Sequence, residues 1–251
     1  MADFISEGVR IHFEEQGSGD PVVLVHGFGS NAKNNWEVTG WLSFLSPHFR
    51  VIAMDCRGHG QSDKPHDPDA YGAEVMAGDV IRLLDHLNIR RTLLMGYSMG
   101  ARLSAGVLLR YPERLRAVVL GGIGSGGGMS NSSARQRIVD ALLTDDESTI
   151  KEQTPREFRQ FAKANSNDLK ALGACMAGQR PSTTTDVFAS NKVAVLIVVG
   201  TADTLVGTAR PLQQMIPGSR LVELEGRDHL NAPGDRKYKE AVLEFFKIAP
   251  A

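Results

Sequence analysis

The sequence predicts an α/β fold in which a mostly parallel sheet carries helices on both faces. Strand-like apolar runs alternate along the chain with stretches of helical periodicity, which is the order a parallel sheet requires. The runs Pro21–His26, Thr92–Met95, Ala117–Gly121 and Val193–Val199 are almost wholly β-branched or aliphatic, as strands buried on both faces are. A length of 251 residues suits one such domain with a modest insertion.

The elements follow in order. Phe4 to Gln16 alternates through Val9, Ile11 and Phe13 with Glu7-Gly8 at a turn, and predicts a hairpin. Strand Pro21–His26 comes next, then a short helix or loop over Asn35–Leu45 carrying Trp36 and Trp41, then strand Arg50–Met54. Tyr71–Leu87 places Val75, Met76, Val80, Leu83, Leu84 and Leu87 at helical spacing. Strand Thr92–Met95 leads into helix Met99–Tyr111, which Pro112 ends because proline cannot donate to the helical ladder. After strand Ala117–Gly121 the rhythm breaks. Residues 121–128 are glycine-dense, without the Gly-Lys-Ser/Thr that a phosphate loop needs. Helices are expected over Ala134–Leu143, from Thr154-Pro155-Arg156-Glu157 onward as a capping box with proline at the first helical position, and over Asp168–Met176. Ser182 to Thr185 returns the chain to strand Val193–Val199, followed by a helix near Thr208–Ile216, strand Arg220–Leu224 and a last helix near Lys237–Lys247.

The bulk composition excludes several classes. Net charge is −1 with no long like-charge run, which argues against nucleic acid and against a polybasic membrane patch. The first ten residues lack the basic-then-apolar pattern of a signal peptide, and no apolar run reaches spanning length, so a cytoplasmic location and no membrane partner are expected. Cys56 and Cys175 offer neither a disulfide framework nor zinc spacing, and Cys56 is expected to be a packing residue. Among seven histidines none forms an i, i+4 pair, so no metal and no cofactor are expected.

The chemistry concentrates at Gly96-Tyr97-Ser98-Met99-Gly100, between a strand and a helix. Gly-x-Ser-x-Gly in that setting is a nucleophile elbow: the tight bend leaves no room for a Cβ at either glycine and lifts the serine hydroxyl above the sheet. The pentapeptide alone is a weak signal. The partners such a serine needs follow in the order serine, acid, histidine. Asp203 lies in the loop after strand Val193–Val199, where it can orient an imidazole or simply cap the chain that follows. His229 lies in the loop after the last strand and is the one histidine beyond Asp203. Asp228, its direct neighbour, is poorly placed to pair with it. The loop His26-Gly27-Phe28-Gly29 follows a buried strand. Its Phe28 amide and that of Met99 are the expected oxyanion donors, with His26 holding the loop. Losing one such donor typically costs about 3 kcal/mol of transition-state stabilisation.

With Asp55 to Ser62 added to these segments, the chain resembles the α/β-hydrolase superfamily, in its compact esterase-like group. The resemblance implies an eight-stranded, mostly parallel sheet, a core domain of residues 1–121 and 191–251, and an inserted helical cap at 122–190. It implies a Ser98–His229–Asp203 triad acting through an acyl-enzyme, with Arg57 and His59 as architecture. The substrate expected is a small or medium uncharged ester, held in a pocket built from Tyr97, Phe158, Phe161 and Met176. Enol-lactone hydrolysis or C–C cleavage by the same triad, and a ligand-binding protein on the same scaffold, stay open. Dehalogenase and epoxide-hydrolase chemistry is disfavoured, since those relatives carry an aspartate where this chain has Ser98. The resemblance is compatible with a homodimer.

Overall fold

The structure, a computed structural model, describes residues 2–124, 132–178, 188 and 190–249. The last part of the glycine-dense run and the return segment Ser182–Thr185 lie outside the described residues. Eight strands form one sheet: β1 (Ala2–Ser6), β2 (Val9–Gln16), β3 (Pro21–Val25), β4 (Arg50–Met54), β5 (Thr92–Tyr97), β6 (Leu115–Gly121), β7 (Ala194–Gly200) and β8 (Arg220–Leu224). Their spatial order is β1-β2-β4-β3-β5-β6-β7-β8. The β1–β2 hairpin joins β4 antiparallel, and every other pairing is parallel. Glu7 and Gly8 both take positive φ, 49° and 78°, the backbone twist that a tight two-residue hairpin demands.

The described residues form eight α-helices: α1 (Trp41–Leu45), α2 (Ala73–His86), α3 (Met99–Arg110), α4 (Ser132–Leu143), α5 (Gln153–Ala164), α6 (Leu169–Ala177), α7 (Arg210–Met215) and α8 (Arg236–Lys247). Alternate residues of each central strand feed opposite faces. Val23, Val25, Leu94, Val118, Leu120 and Ile197 pack with Leu83 and Leu84 of α2 and Leu103 and Val107 of α3. Val22, Leu24, Leu93, Met95, Val119 and Val198 pack on the other face with Trp36, Trp41, Tyr238 and Phe245. Trp36 lies in a five-residue π-helix (Lys33–Glu37), and Trp41 Nε1 donates to the Pro233 carbonyl at 2.7 Å, tying α1 to the loop before α8.

A buried ion pair fixes the loop after β4. Arg57 reaches Asp79 of α2 through two bonds, 2.6 and 2.8 Å, and donates to the Ala70 carbonyl. His59 is buried beside it, with Nδ1 on the Arg57 carbonyl. Both residues make the polar loop contacts expected of them.

The capping box expected at Thr154 is not formed. α5 begins at Gln153, with Glu152 as its N-cap and no side-chain cap, so Thr154 is the second helical residue and Pro155 the third. Proline is tolerated there because the first-turn amides have no intrahelical acceptor. Glu157 accepts instead from Gln153 Nε2 at 2.7 Å. The helices α4, α5 and α6 pack on one another between β6 and β7. No helix among the described residues is long and apolar enough to cross a membrane.

Candidate active site

The chain order β3→β4 runs one way along the sheet and β5→β6→β7→β8 the other, so the loops after β3 and β5 diverge at their carboxyl ends. Such a reversal opens a crevice above the sheet. Phe28 follows β3 and Ser98 follows β5, one on each side of it.

Ser98 stands at φ 54°, ψ −109°, a conformation that L-residues avoid. The glycines around it make the bend feasible. A Cβ on Gly96 would come within 2.1 Å of the Gly100 carbonyl oxygen, and one on Gly100 within 1.9 Å of the Val25 oxygen. The Ser98 amide donates to the Gly121 carbonyl at 2.8 Å, anchoring the elbow to β6.

Ser98, His229 and Asp203 meet although 131 residues separate the first two. Ser98 Oγ lies 2.9 Å from His229 Nε2, and His229 Nδ1 lies 2.6 Å from Asp203 Oδ2. An ionised carboxylate only accepts, so Nδ1 carries the proton and Nε2 is free to accept from the hydroxyl. Asp203 makes both kinds of contact anticipated for it. Its Oδ1 accepts from the Leu205 and Val206 amides at 3.1 and 3.2 Å while Oδ2 faces the ring. The Asp203 side chain is fully buried and that of His229 is 14% exposed, so the dyad is shielded and the ring edge stays reachable. Asp228 is occupied elsewhere: its oxygens accept from the Leu230 and Asn231 amides and from Asn231 Nδ2.

The loop after β3 is a turn from Gly27 to Ser30, with the Ser30 amide donating to the Gly27 carbonyl at 3.1 Å and Gly29 at φ 70°. His26 Nδ1 donates to the same Gly27 carbonyl at 2.8 Å, while its Nε2 accepts from the Cys56 amide at 3.0 Å. Burial pulls the His26 pKa down and keeps the ring neutral, which both bonds require. Asn35 Oδ1 accepts from the Gly27 amide at 2.9 Å. Gly27 abuts the elbow, since a Cβ there would lie 3.5 Å from Ser98 Cβ. The Phe28 and Met99 amides have no protein acceptor among the described residues.

Apolar groups surround this corner. The Phe28 ring lies 5.9 Å from that of Phe158, Phe161 packs against Gly29, and Cys175 Sγ lies 4.0 Å from Met99 Sδ. Met176 is 1% exposed and belongs to the same cluster as Phe28 and Met99. Burial pushes the Cys56 thiol well up, in keeping with a packing residue. Tyr97 departs from its expected place in the pocket. Its side chain belongs with Trp41 and Tyr238 on the opposite face of the sheet, because it shares the strand parity of Met95. There its hydroxyl donates to the His229 carbonyl at 2.7 Å. Burial pushes the Tyr97 phenol up, so it stays a donor. The roles of Asn35 and Tyr97 left no local sequence signal: both depend on contacts with residues brought near only by folding.

Comparisons with known proteins agree with this architecture. The family model described as alpha/beta hydrolase fold matches residues 20–173. The chain is similar to the 2-hydroxy-6-oxo-2,4-heptadienoate hydrolase of Pseudomonas putida, at 38% identity over 120 residues, 47% of this chain and 42% of that protein. The matched stretches span less than half the length of the curated relatives. Among solved structures, an esterase from Exiguobacterium antarcticum superposes with TM-score 0.79 at 25% identity, covering 98% of this chain and 100% of that one. The enol-lactonase from Burkholderia xenovorans LB400 gives 0.77 at 25%, with the same coverage. With well over half its length matched by that model and its sheet built in the same way, the chain belongs to the alpha/beta hydrolase fold family.

Proposed function

We propose that this protein is a serine hydrolase cleaving carboxylic esters of small or medium, mainly uncharged acyl groups. The observation that carries this is the unbroken line Ser98 Oγ, His229 Nε2, His229 Nδ1, Asp203 Oδ2, with spacings of 2.9 and 2.6 Å. His229 takes the hydroxyl proton as Oγ attacks the carbonyl carbon. The Phe28 and Met99 amides, which have no protein acceptor among the described residues, receive the resulting alkoxide. His229 then returns the proton to the leaving alcohol, giving the acyl-enzyme. Water, deprotonated by the same ring, releases the acid and restores Ser98. Asp203 keeps Nδ1 protonated and stabilises the imidazolium. Phe28, Met99, Phe158, Phe161 and Met176 favour an apolar acyl chain. On this reading α4–α6, within residues 122–190, cap the site.

A second reading keeps the triad and changes the bond: hydrolysis of an enol lactone or of a C–C bond. The dienoate hydrolase and the enol-lactonase among the similar proteins favour it. One panel decides between them: nitrophenyl esters of graded chain length, enol lactones and a dienone-type C–C substrate, with Ser98→Ala as control. Ester turnover lost in a folded Ser98→Ala variant is expected, and wild-type rates in that variant would end the assignment. Failure of a fluorophosphonate to label Ser98 would favour a non-catalytic binder.

A further inference from the structure

The turn that presents the Phe28 amide is held from three directions. His26 and the Ser30 amide hold the Gly27 carbonyl, and Asn35 holds the Gly27 amide. The third hold comes from the helices between β6 and β7: Asn167 Nδ2, in the α5–α6 connection, donates to the Gly29 carbonyl at 2.7 Å. The Gly27 carbonyl shares its peptide plane with the Phe28 amide, and the Gly29 carbonyl lies in the Gly29–Ser30 plane, so these bonds hold the proposed donor's own peptide and the far end of the turn that carries it. The α5–α6 connection is itself tightly formed. The Asn167 amide donates to the Ala162 carbonyl at 3.0 Å, Ser166 takes φ 54°, and Asp168 caps α6. A second bridge joins the same two segments without touching the turn, Asn34 Nδ2 to Asn165 Oδ1 at 2.5 Å.

We propose that Asn167 is a positioning residue that aligns the Phe28 amide for the developing alkoxide, so that seating α5–α6 on the sheet completes the oxyanion site. The inference rests on the serine-hydrolase reading. The energetic reasoning is that donors help most when fixed before charge appears, and a misplacement of about 1 Å can cost on the order of a hundredfold in rate. Gly29, at φ 70° with no Cβ to pack, gives the turn little stiffness of its own.

The test compares Asn167→Ala, Asn167→Gln and Asn165→Ala on a nitrophenyl ester, with the affinity of an alkyl trifluoromethyl ketone, whose serine hemiketal carries the oxyanion. Asn167→Ala should lower kcat roughly tenfold or more, leave KM within about twofold, and weaken the ketone by the same factor as kcat. Asn167→Gln, which keeps a carboxamide donor, should recover part of the loss. Asn165→Ala, which removes the neighbouring tether and a bond to the Phe161 carbonyl but leaves the Gly29 carbonyl held, should keep wild-type kcat and ketone affinity. Wild-type kcat and ketone affinity in Asn167→Ala would overturn the proposal, as would equal losses in Asn165→Ala and Asn167→Ala, or a change in KM alone. If Ser98→Ala abolishes turnover while Asn167→Ala is unaffected, only this proposal falls. A wild-type protein that neither turns over esters nor binds the ketone overturns the hydrolase reading with it.

Discussion

The phenol of Tyr97 and the backbone carbonyl of His229 are hydrogen-bonded at 2.7 Å, and their rings lie 5.3 Å apart. The residue before Ser98 thus holds the loop that carries His229, fixing one against the other. Gly122 closes the arrangement, since a Cβ there would come within 2.6 Å of the Tyr97 ring. Tyr97→Phe keeps the ring and deletes the bond. It should destabilise the fold by about 1 kcal/mol and lower kcat several-fold. Urea unfolding and ester kinetics measure both, and unchanged kcat would separate this bond from catalysis.

Asp203→Asn keeps the shape of the carboxylate and removes its charge. An amide facing Nδ1 allows the wrong ring tautomer, and kcat should fall by roughly three to four orders of magnitude, as the corresponding change does in a serine protease. Burial of the side chain makes the effect insensitive to salt. Steady-state kinetics at low and high ionic strength test both statements. Asp228→Asn, by contrast, should leave kcat within about twofold, because Asp228 builds only its own turn.

The Arg57–Asp79 pair joins the loop after β4 to α2, with both side chains 2% exposed. Removing one partner strands the other charge away from water. Asp79→Ala should therefore cost about 3–5 kcal/mol, read from chemical denaturation. A loss below 1 kcal/mol would show that the site rehydrates readily.

Two buried histidines set an acid limit on stability. Burial, and to a lesser degree the neighbouring His26, holds His59 at about 3, and burial likewise depresses His26. In the unfolded chain both protonate near the ordinary imidazole value of 6.5. Below that value and down to the depressed folded pKa, the unfolded state binds more protons, so stability falls as pH falls. Each such ring contributes a slope of up to about 1.4 kcal/mol per pH unit. Urea midpoints between pH 7 and 5 should decline with acid, and His59→Asn should flatten that decline. Equal slopes in both proteins would remove His59 as a cause.

Much of this molecule was legible where short-range sterics dictate the outcome. Gly96 and Gly100 have no room for a Cβ, so the pentapeptide carries its own geometry, and the strand runs that feed it are apolar because both sheet faces are covered. The meeting of Ser98, His229 and Asp203 was legible from chain order, since parallel strands deliver the loops after them to one end of the sheet. Tyr97 was not, because every residue of β5 is buried and no polar alternation marks which face a side chain takes. The start of α5 was misread because Thr154 and Glu157 satisfy a local capping pattern that Glu152, two residues earlier and extended at φ −84°, ψ 144°, pre-empts. Asn167 meets Gly29 across 138 positions of chain, a distance no periodicity spans.

The left-handed backbone at Ser98 sets reactivity against durability. Holding a side chain at φ 54° costs on the order of 1–3 kcal/mol, and glycine there would shed that cost while giving back about 0.5–1 kcal/mol in chain entropy. Ser98→Gly should accordingly melt higher than the parent while turning nothing over. Any laboratory evolution for heat tolerance alone would be rewarded for discarding the proposed nucleophile, so such a campaign must select for turnover at every round.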